Sequence, residues 1–191
     1  MMKRDECFRA LARHVTDEIV VATYSSAVDW LALGERALNY FSVGAMGLDS
    51  SHALGLALAR PDKRIICLQG DGSLLMNLGC LVTIAAAAPK NLVHMVVQNG
   101  TYEANGSHPI PNTKVEFAAM ARSAGYAHVH EFSELANFEQ QRTSSSRTAR
   151  CSQRFMWSDR SRSLTTMQTS TIRHAASRSK RRCGQGSPHE P

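Results

Sequence analysis

Two oxygen-bearing side chains stand out by their spacing. Asp71 lies in Gly70-Asp71-Gly72-Ser73, directly after the apolar run Ile65–Gln69, and Asn99 lies in Asn99-Gly100-Thr101, directly after Leu92–Gln98. Between Gly72 and Asn99 stand 26 residues, many of them alanine and leucine. The stretch reads as strand, turn, helix, strand, turn. A βαβ unit of that length sets Asp71 and Asn99 at the carboxyl ends of neighbouring parallel strands. A carboxylate and an amide oxygen beside a helix N-terminus suit a divalent cation that carries a diphosphate. Magnesium takes one or two protein oxygens together with phosphate oxygens, and a nearby backbone carbonyl is a natural third ligand. The N–H groups of Gly72 and Ser73 open the helix and can face phosphate, and the glycines let the main chain come close. Taken singly, Gly-Asp-Gly is also a turn with an N-cap aspartate, and Asn-Gly a tight turn. The pair at this spacing points to a cofactor.

The elements that must position these residues alternate along the chain. The pattern predicts helices over 3–14 (Cys7, Phe8, Leu11 and Ala12 on one face), 28–37, 50–59, 74–88 and 115–124, with a further helix starting at 133. It predicts strands over 19–24, 38–43, 64–69, 92–98 and 126–130, and a polar loop over 100–114. Near-continuous apolar strands between helices predict an α/β fold, a three-layer parallel sheet with helices on both faces. Ligands of such sheets sit outside the carboxyl ends of the strands. Gly44–Gly47, Gly70–Ser73 and Asn99–Thr101 are the three turns that can line one crevice there.

The formal net charge of +6 is unevenly spread. Residues 1–139 hold 11 Lys/Arg against 14 Asp/Glu, whereas residues 140–191 hold 11 against 2. The basicity therefore says nothing about a nucleic-acid role for the folded part. Two domains of composition follow: a globular part over 1–139, truncated before its sheet is complete, and an Arg/Ser-rich segment over 140–191 expected to be disordered. The break is abrupt and falls inside a helix start. A frameshift product accounts for it, and a genuine basic tail binding nucleic acid or acidic partners is the alternative. The five cysteines (Cys7, Cys67, Cys80, Cys151, Cys183) form no CxxC pair and read as small buried hydrophobes. The N-terminus lacks the apolar core of a signal peptide, no run is long enough to span a membrane, and a cytoplasmic setting is expected.

On these residues the chain resembles the diphosphate-binding domain of thiamine diphosphate enzymes, and within them the sulfopyruvate decarboxylase β-type subunits and phosphonopyruvate decarboxylases. The resemblance runs over residues 1–139 and is carried by Gly44-Ala45-Met46-Gly47, Ser50-Ser51, Leu54–Ala59, Gly70–Gly79 and Asn99–Glu103. It implies thiamine diphosphate and Mg²⁺ as cofactors, decarboxylation of a 2-oxo acid, and membership of a hetero-oligomer. It implies that Asp71, the Asn99 side chain and the Thr101 carbonyl hold the metal. Gly70, Gly72, Ser73, Asn99, Thr101 and Tyr102 would bind the cofactor, Met46 would be the apolar wedge beneath it, and the Gly44 carbonyl would receive the aminopyrimidine. No catalytic residue is expected in this chain: the activating glutamate belongs to a pyrimidine-binding domain, which has no counterpart here and would come from an α-type partner subunit. Asp49 and His52 depart from the small or apolar residues of the family, and His52 reads as a core or crevice-edge histidine. His108 lies where a substrate anion could arrive but is equally a loop residue, and Gln98 is expected to point away from the metal. Alternatives are a subunit of another thiamine diphosphate enzyme (a 2-oxo acid oxidoreductase or an acetolactate synthase-like protein) or an inactive frameshifted product. The oxidoreductase small subunits carry clustered cysteines that this chain lacks.

Overall fold

Runs of β-branched and apolar residues make the central strands. In the computed structural model, which describes residues 2–42, 44, 46–145 and 154–158, these are β1 (Ile19–Thr23), β2 (Asn39–Ser42), β3 (Ile65–Gly70) and β4 (Leu92–Val97). β7 (His128–Phe132) and β8 (Arg154–Ser158) complete one six-stranded parallel sheet in the order β2-β1-β3-β4-β8-β7. A separate two-residue hairpin, β5 (Thr101–Tyr102) and β6 (His108–Pro109), lies in the loop after β4. The fold class expected from the sequence is the one observed.

Alternation of side chains along each strand feeds two cores. Val20, Ala22, Ile66, Leu68, Met95 and Val97 pack with helices α1 (Arg4–Ala12), α2 (Tyr24–Leu31) and α7 (Leu135–Ser145), whose Phe8, Trp30 and Phe138 are among the largest buried side chains. Val21, Ile65, Cys67, Leu92 and Val96 pack on the other face with α3 (Asp49–Ala59), α4 (Asp71–Met76), α5 (Cys80–Ala87) and α6 (Phe117–Ala124). The chain passes from β1 to β2 on one side and then crosses back to β3 on the other side of β1, so the connections diverge between β1 and β3. That divergence opens a crevice at the carboxyl ends of these two strands.

Three details differ from the sequence reading. The helix expected over 74–88 is two helices, because Asn77 leaves helical geometry (φ −143°, ψ 52°) and donates its amide to Ser51 Oγ at 3.2 Å. α2 begins at Tyr24, directly after β1, rather than at residue 28. The third concerns the segment expected to be disordered throughout. α7 continues to Ser145, and Arg154–Ser158 forms β8, paired with β4 and β7 along five residues each. Arg154-Phe155-Met156-Trp157-Ser158 is the one apolar, aromatic run in that segment, and the sheet supplies backbone partners on both sides. The rest of 146–191, with Cys151 and Cys183, lies outside the described residues. Truncation after Ser145 is therefore expected to lower the melting temperature by several degrees, because β4 and β7 each lose a ladder. Equal melting curves for the truncated and full chains would show that β8 contributes nothing.

Among the described residues Cys7, Cys67 and Cys80 are buried, and no helix is long and apolar enough to cross a membrane. The α3–α6 face also carries a buried polar path. Tyr126 donates its hydroxyl to His94 Nδ1 (3.1 Å), and His94 Nε2 donates to Gln69 Oε1 (2.7 Å), a tautomer set by Gln69 turning its amide nitrogen to Ser73 Oγ (3.5 Å). Burial pushes His94 down to about 4. The unfolded chain takes up this proton near pH 6.5 and the folded chain only near 4. The resulting stability is present in full above 6.5 and lost as pH falls toward 4, by about 3 kcal/mol. His94→Gln should flatten that acid limb. Denaturant titrations of both proteins between pH 7 and 4 test this, and parallel curves would refute it.

Candidate active site

The crevice at the β1–β3 divergence is lined by Arg4, Thr23, Tyr24, Ser25, Ser26, Met46, Gly70, Asp71, Gly72, Ser73, Asn99, Thr101, Glu103 and Ala104. Each sheet strand that reaches it contributes its carboxyl-terminal turn. Asp71 opens α4 straight out of β3. Its Oδ1 accepts the Gly72 N–H (2.9 Å) and its Oδ2 accepts the Gly100 N–H (2.7 Å), which ties the turn after β3 to the turn after β4. Asn99 Oδ1 accepts both the N–H (2.9 Å) and the hydroxyl (3.1 Å) of Thr101, and Asn99 Nδ2 faces Glu103 Oε2 at 3.4 Å. Glu103 is gripped by Arg4 through Nη1 (2.5 Å) and Nη2 (3.3 Å), while Arg4 Nε holds Asp29 Oδ2 at 2.6 Å.

The cleft is a place of close backbone approach. A Cβ on Gly72 would come within 2.7 Å of the Tyr102 ring and 3.2 Å of the Thr101 carbonyl oxygen, so only glycine fits. Asp71 is almost fully buried. Burial raises its carboxyl to about 6, against the opposing pull of the Gly100, Gly72 and Asn99 backbone donors. Tyr24, at the mouth, holds φ +45°, a conformation rare for a residue with a side chain. The donor set around Asp71 is all oxygen (carboxylate, amide, carbonyl), which matches a hard cation such as Mg²⁺ and not a soft one. The residues present thus fit a magnesium diphosphate. Among the described residues no cluster of three His, Cys, Asp or Glu offers an alternative metal centre.

Of the residues singled out from the sequence, Met46, Gly70, Asp71, Gly72, Ser73, Asn99 and Thr101 come together on this cleft. Tyr102 lies behind Gly72, against which its ring packs, and Gly44 (φ +85°) is exposed and not among the lining residues. His108 is exposed on β6, and Gln98 is buried outside the lining set. His52 sits at the edge of the fold with its ring edge-on to Tyr40, centroids 5.5 Å apart. Sequence reasoning missed Arg4, Thr23–Ser26 and Glu103. The signal for Thr23–Ser26 was available: they follow the first strand, at the end of the sheet where ligands bind.

Fold and site define a class of protein. The family model for the C-terminal TPP-binding domain of thiamine pyrophosphate enzymes matches residues 23–149, and the chain belongs to that family. Among curated relatives it is similar to the β subunit of sulfopyruvate decarboxylase from Methanothermobacter thermautotrophicus, 35% identical over 141 residues that cover 73% of this chain and 75% of that one. It is also similar to phosphonopyruvate decarboxylase from Streptomyces viridochromogenes, 38% identical over 128 residues, 66% of this chain but 32% of the relative. The chain thus spans about a third of the phosphonopyruvate enzyme and three quarters of the sulfopyruvate subunit. Solved structures share the fold. A thiamin diphosphate-dependent enzyme from Mycobacterium smegmatis superposes with TM-score 0.68 at 17% identity, over 82% of this chain and 31% of that one. A thiamine diphosphate-dependent 4-hydroxybenzoylformate decarboxylase from Rhodococcus jostii superposes with TM-score 0.66 at 22% identity, over 84% and 32%.

Proposed function

We propose that this chain is the diphosphate-binding subunit of a thiamine diphosphate- and Mg²⁺-dependent 2-oxo acid decarboxylase of the sulfopyruvate or phosphonopyruvate type, completed by an α-type subunit that carries the pyrimidine-binding domain. The observation that supports it most is the joining of Asp71 to the Asn99–Thr101 turn through Gly100, beside a glycine that leaves room for nothing else. Asp71, the Asn99 side-chain oxygen and the Thr101 carbonyl would hold Mg²⁺. The Gly72 and Ser73 amides would face the diphosphate, and Met46 would support the cofactor from the turn after β2. Bound thiamine diphosphate supplies an electron sink for the pair left behind as carbon dioxide departs.

The chain's own part is binding and orientation. Gly70 and Gly72 allow main-chain contact with the diphosphate, and buried Asp71 offers a charge whose desolvation a divalent cation offsets. Membership of a hetero-oligomer is supported by the similarity to a β subunit, matched over 75% of that subunit, and by a cleft that stands open to solvent rather than enclosing a ligand. The remaining walls must come from elsewhere. Calorimetric titration of the assembled enzyme with thiamine diphosphate, with and without a chelator, tests the reading. Binding is expected with Mg²⁺ and lost with the chelator, and equal binding in both would overturn the metal assignment.

A further inference from the structure

Asp49 is fully buried at the start of α3 and forms no salt bridge among the described residues, yet the structure builds a set of hydroxyl donors around it. Thr23 Oγ1 donates to its Oδ2 at 2.7 Å, and the Ser73 hydroxyl donates to Oδ1 and Oδ2 at 2.9 and 3.1 Å. Having given its proton to Asp49, Ser73 Oγ accepts the Gly47 N–H at 2.9 Å and faces the Gln69 amide at 3.5 Å. Every hydrogen along Tyr126, His94, Gln69 and Ser73 therefore points toward one carboxylate, the arrangement in which hydrogen bonds polarise one another. The consequence is positional. Thr23 ends β1 next to strained Tyr24, Gly47 follows Met46 in the turn after β2, and Ser73 stands in the first turn of α4, directly after β3. Gly47 itself has no slack: its φ is +90°, and a Cβ there would come within 3.0 Å of Met76 Cβ.

We propose that Asp49 is the positioning residue of the cleft, locking the turns after β1, β2 and β3 to one another so that Met46, Ser73 and Tyr24–Ser26 are set before any ligand arrives. This deepens the reading of the cleft as a cofactor site and rests on it for its catalytic consequence. It touches no reacting group and acts through Ser73 and Thr23. Asp49→Asn keeps the shape but offers one acceptor where two hydroxyls donate, so one of them must turn round. Ser73→Ala removes the acceptor of Gly47 directly. In the ligand-free chain, amide exchange at Gly47 should speed up by about twofold to tenfold in either variant, the range for loss of a hydrogen bond to a neutral hydroxyl. The double variant should be no faster than Ser73→Ala, because both act through one bond. In the assembled enzyme Asp49→Asn should weaken thiamine diphosphate binding about tenfold while the KM for the 2-oxo acid stays within about twofold. A merely structural aspartate would instead speed exchange across α3 and β3 alike. Unchanged exchange at Gly47 in Asp49→Asn, or additive effects in the double variant, would overturn the proposal. The exchange result stands even if the native protein binds no thiamine diphosphate, an outcome that would sink the functional reading alone.

Discussion

Replacing Asp71 with alanine is expected to weaken Mg²⁺-dependent binding of thiamine diphosphate by at least about a hundredfold, beyond the losses typical when only a supporting residue of a metal site is removed. Two separate effects add. The cation loses its only carboxylate among the residues assigned to it, so the diphosphate charge lacks compensation. The turn after β4 also loses the acceptor of the Gly100 N–H, 2.7 Å from Asp71 Oδ2, and the Asn99 and Thr101 oxygens lose their registration with α4. Asp71→Asn separates the two. It keeps an acceptor for Gly100 and removes the charge, so it should retain the apo fold and still bind the cofactor poorly. Apo stability is expected to change little or to rise in Asp71→Asn, since burial already holds the carboxyl up at about 6 and its ionised form is costly at neutral pH. Calorimetry on the three proteins in the assembled enzyme decides, and native-like affinity in Asp71→Ala would remove the metal site from this cleft.

The second large effect expected is a dependence on the proposed partner subunit. Purified alone, this chain is expected to turn over sulfopyruvate or phosphonopyruvate on the order of a thousandfold more slowly than with an α-type subunit, or not at all. A positioned general acid or base contributes roughly that factor, and the lining residues offer no free carboxylate for the task. Asp71 is assigned to the cation, and Glu103 is held by Arg4. Adding a pyrimidine-domain subunit should restore carbon dioxide release and saturate at a fixed ratio of the two chains. Full turnover by this chain alone, with no other polypeptide present, would refute the division of labour.

The α/β plan could be read from the sequence because parallel strands buried on both faces are near-continuous apolar runs, as Ile19–Ala22, Ile65–Leu68 and, His94 apart, Leu92–Val97 are. The turns at Asp71 and Asn99 were legible as a pair: each is an ordinary turn sequence, but the two together, with 26 residues between Gly72 and Asn99 and each after an apolar strand, are not. Asp49 was not legible as a buried residue. A carboxylate in the first turn of a helix ordinarily stays in water beside the helix N-terminus, and nothing local announces that Thr23 and Ser73, 26 and 24 residues away, turn their hydroxyls onto it. The break at Asn77 was hidden by leucines and alanines that keep a helical pattern on both sides. β8 was hidden by its surroundings, since Arg154–Ser158 is only five residues within an Arg/Ser-rich stretch, and its strand character comes from neighbours already in place on either side. Arg4 was missed because a lone arginine on an opening helix has no motif; its site lies 99 residues away at Glu103.

That last distance bears on how the chain comes to be folded. During synthesis α1 leaves the ribosome long before Glu103 exists, so Arg4 waits with only Asp29 available to it. Contacts of such sequence separation carry a high loop-closure cost and form late. The Asn99–Glu103 turn can be fastened to the first helix only after β3 and β4 are in register. Formation of the cleft should therefore trail formation of the sheet, and a refolding chain should recover its secondary structure before it recovers a place for a ligand.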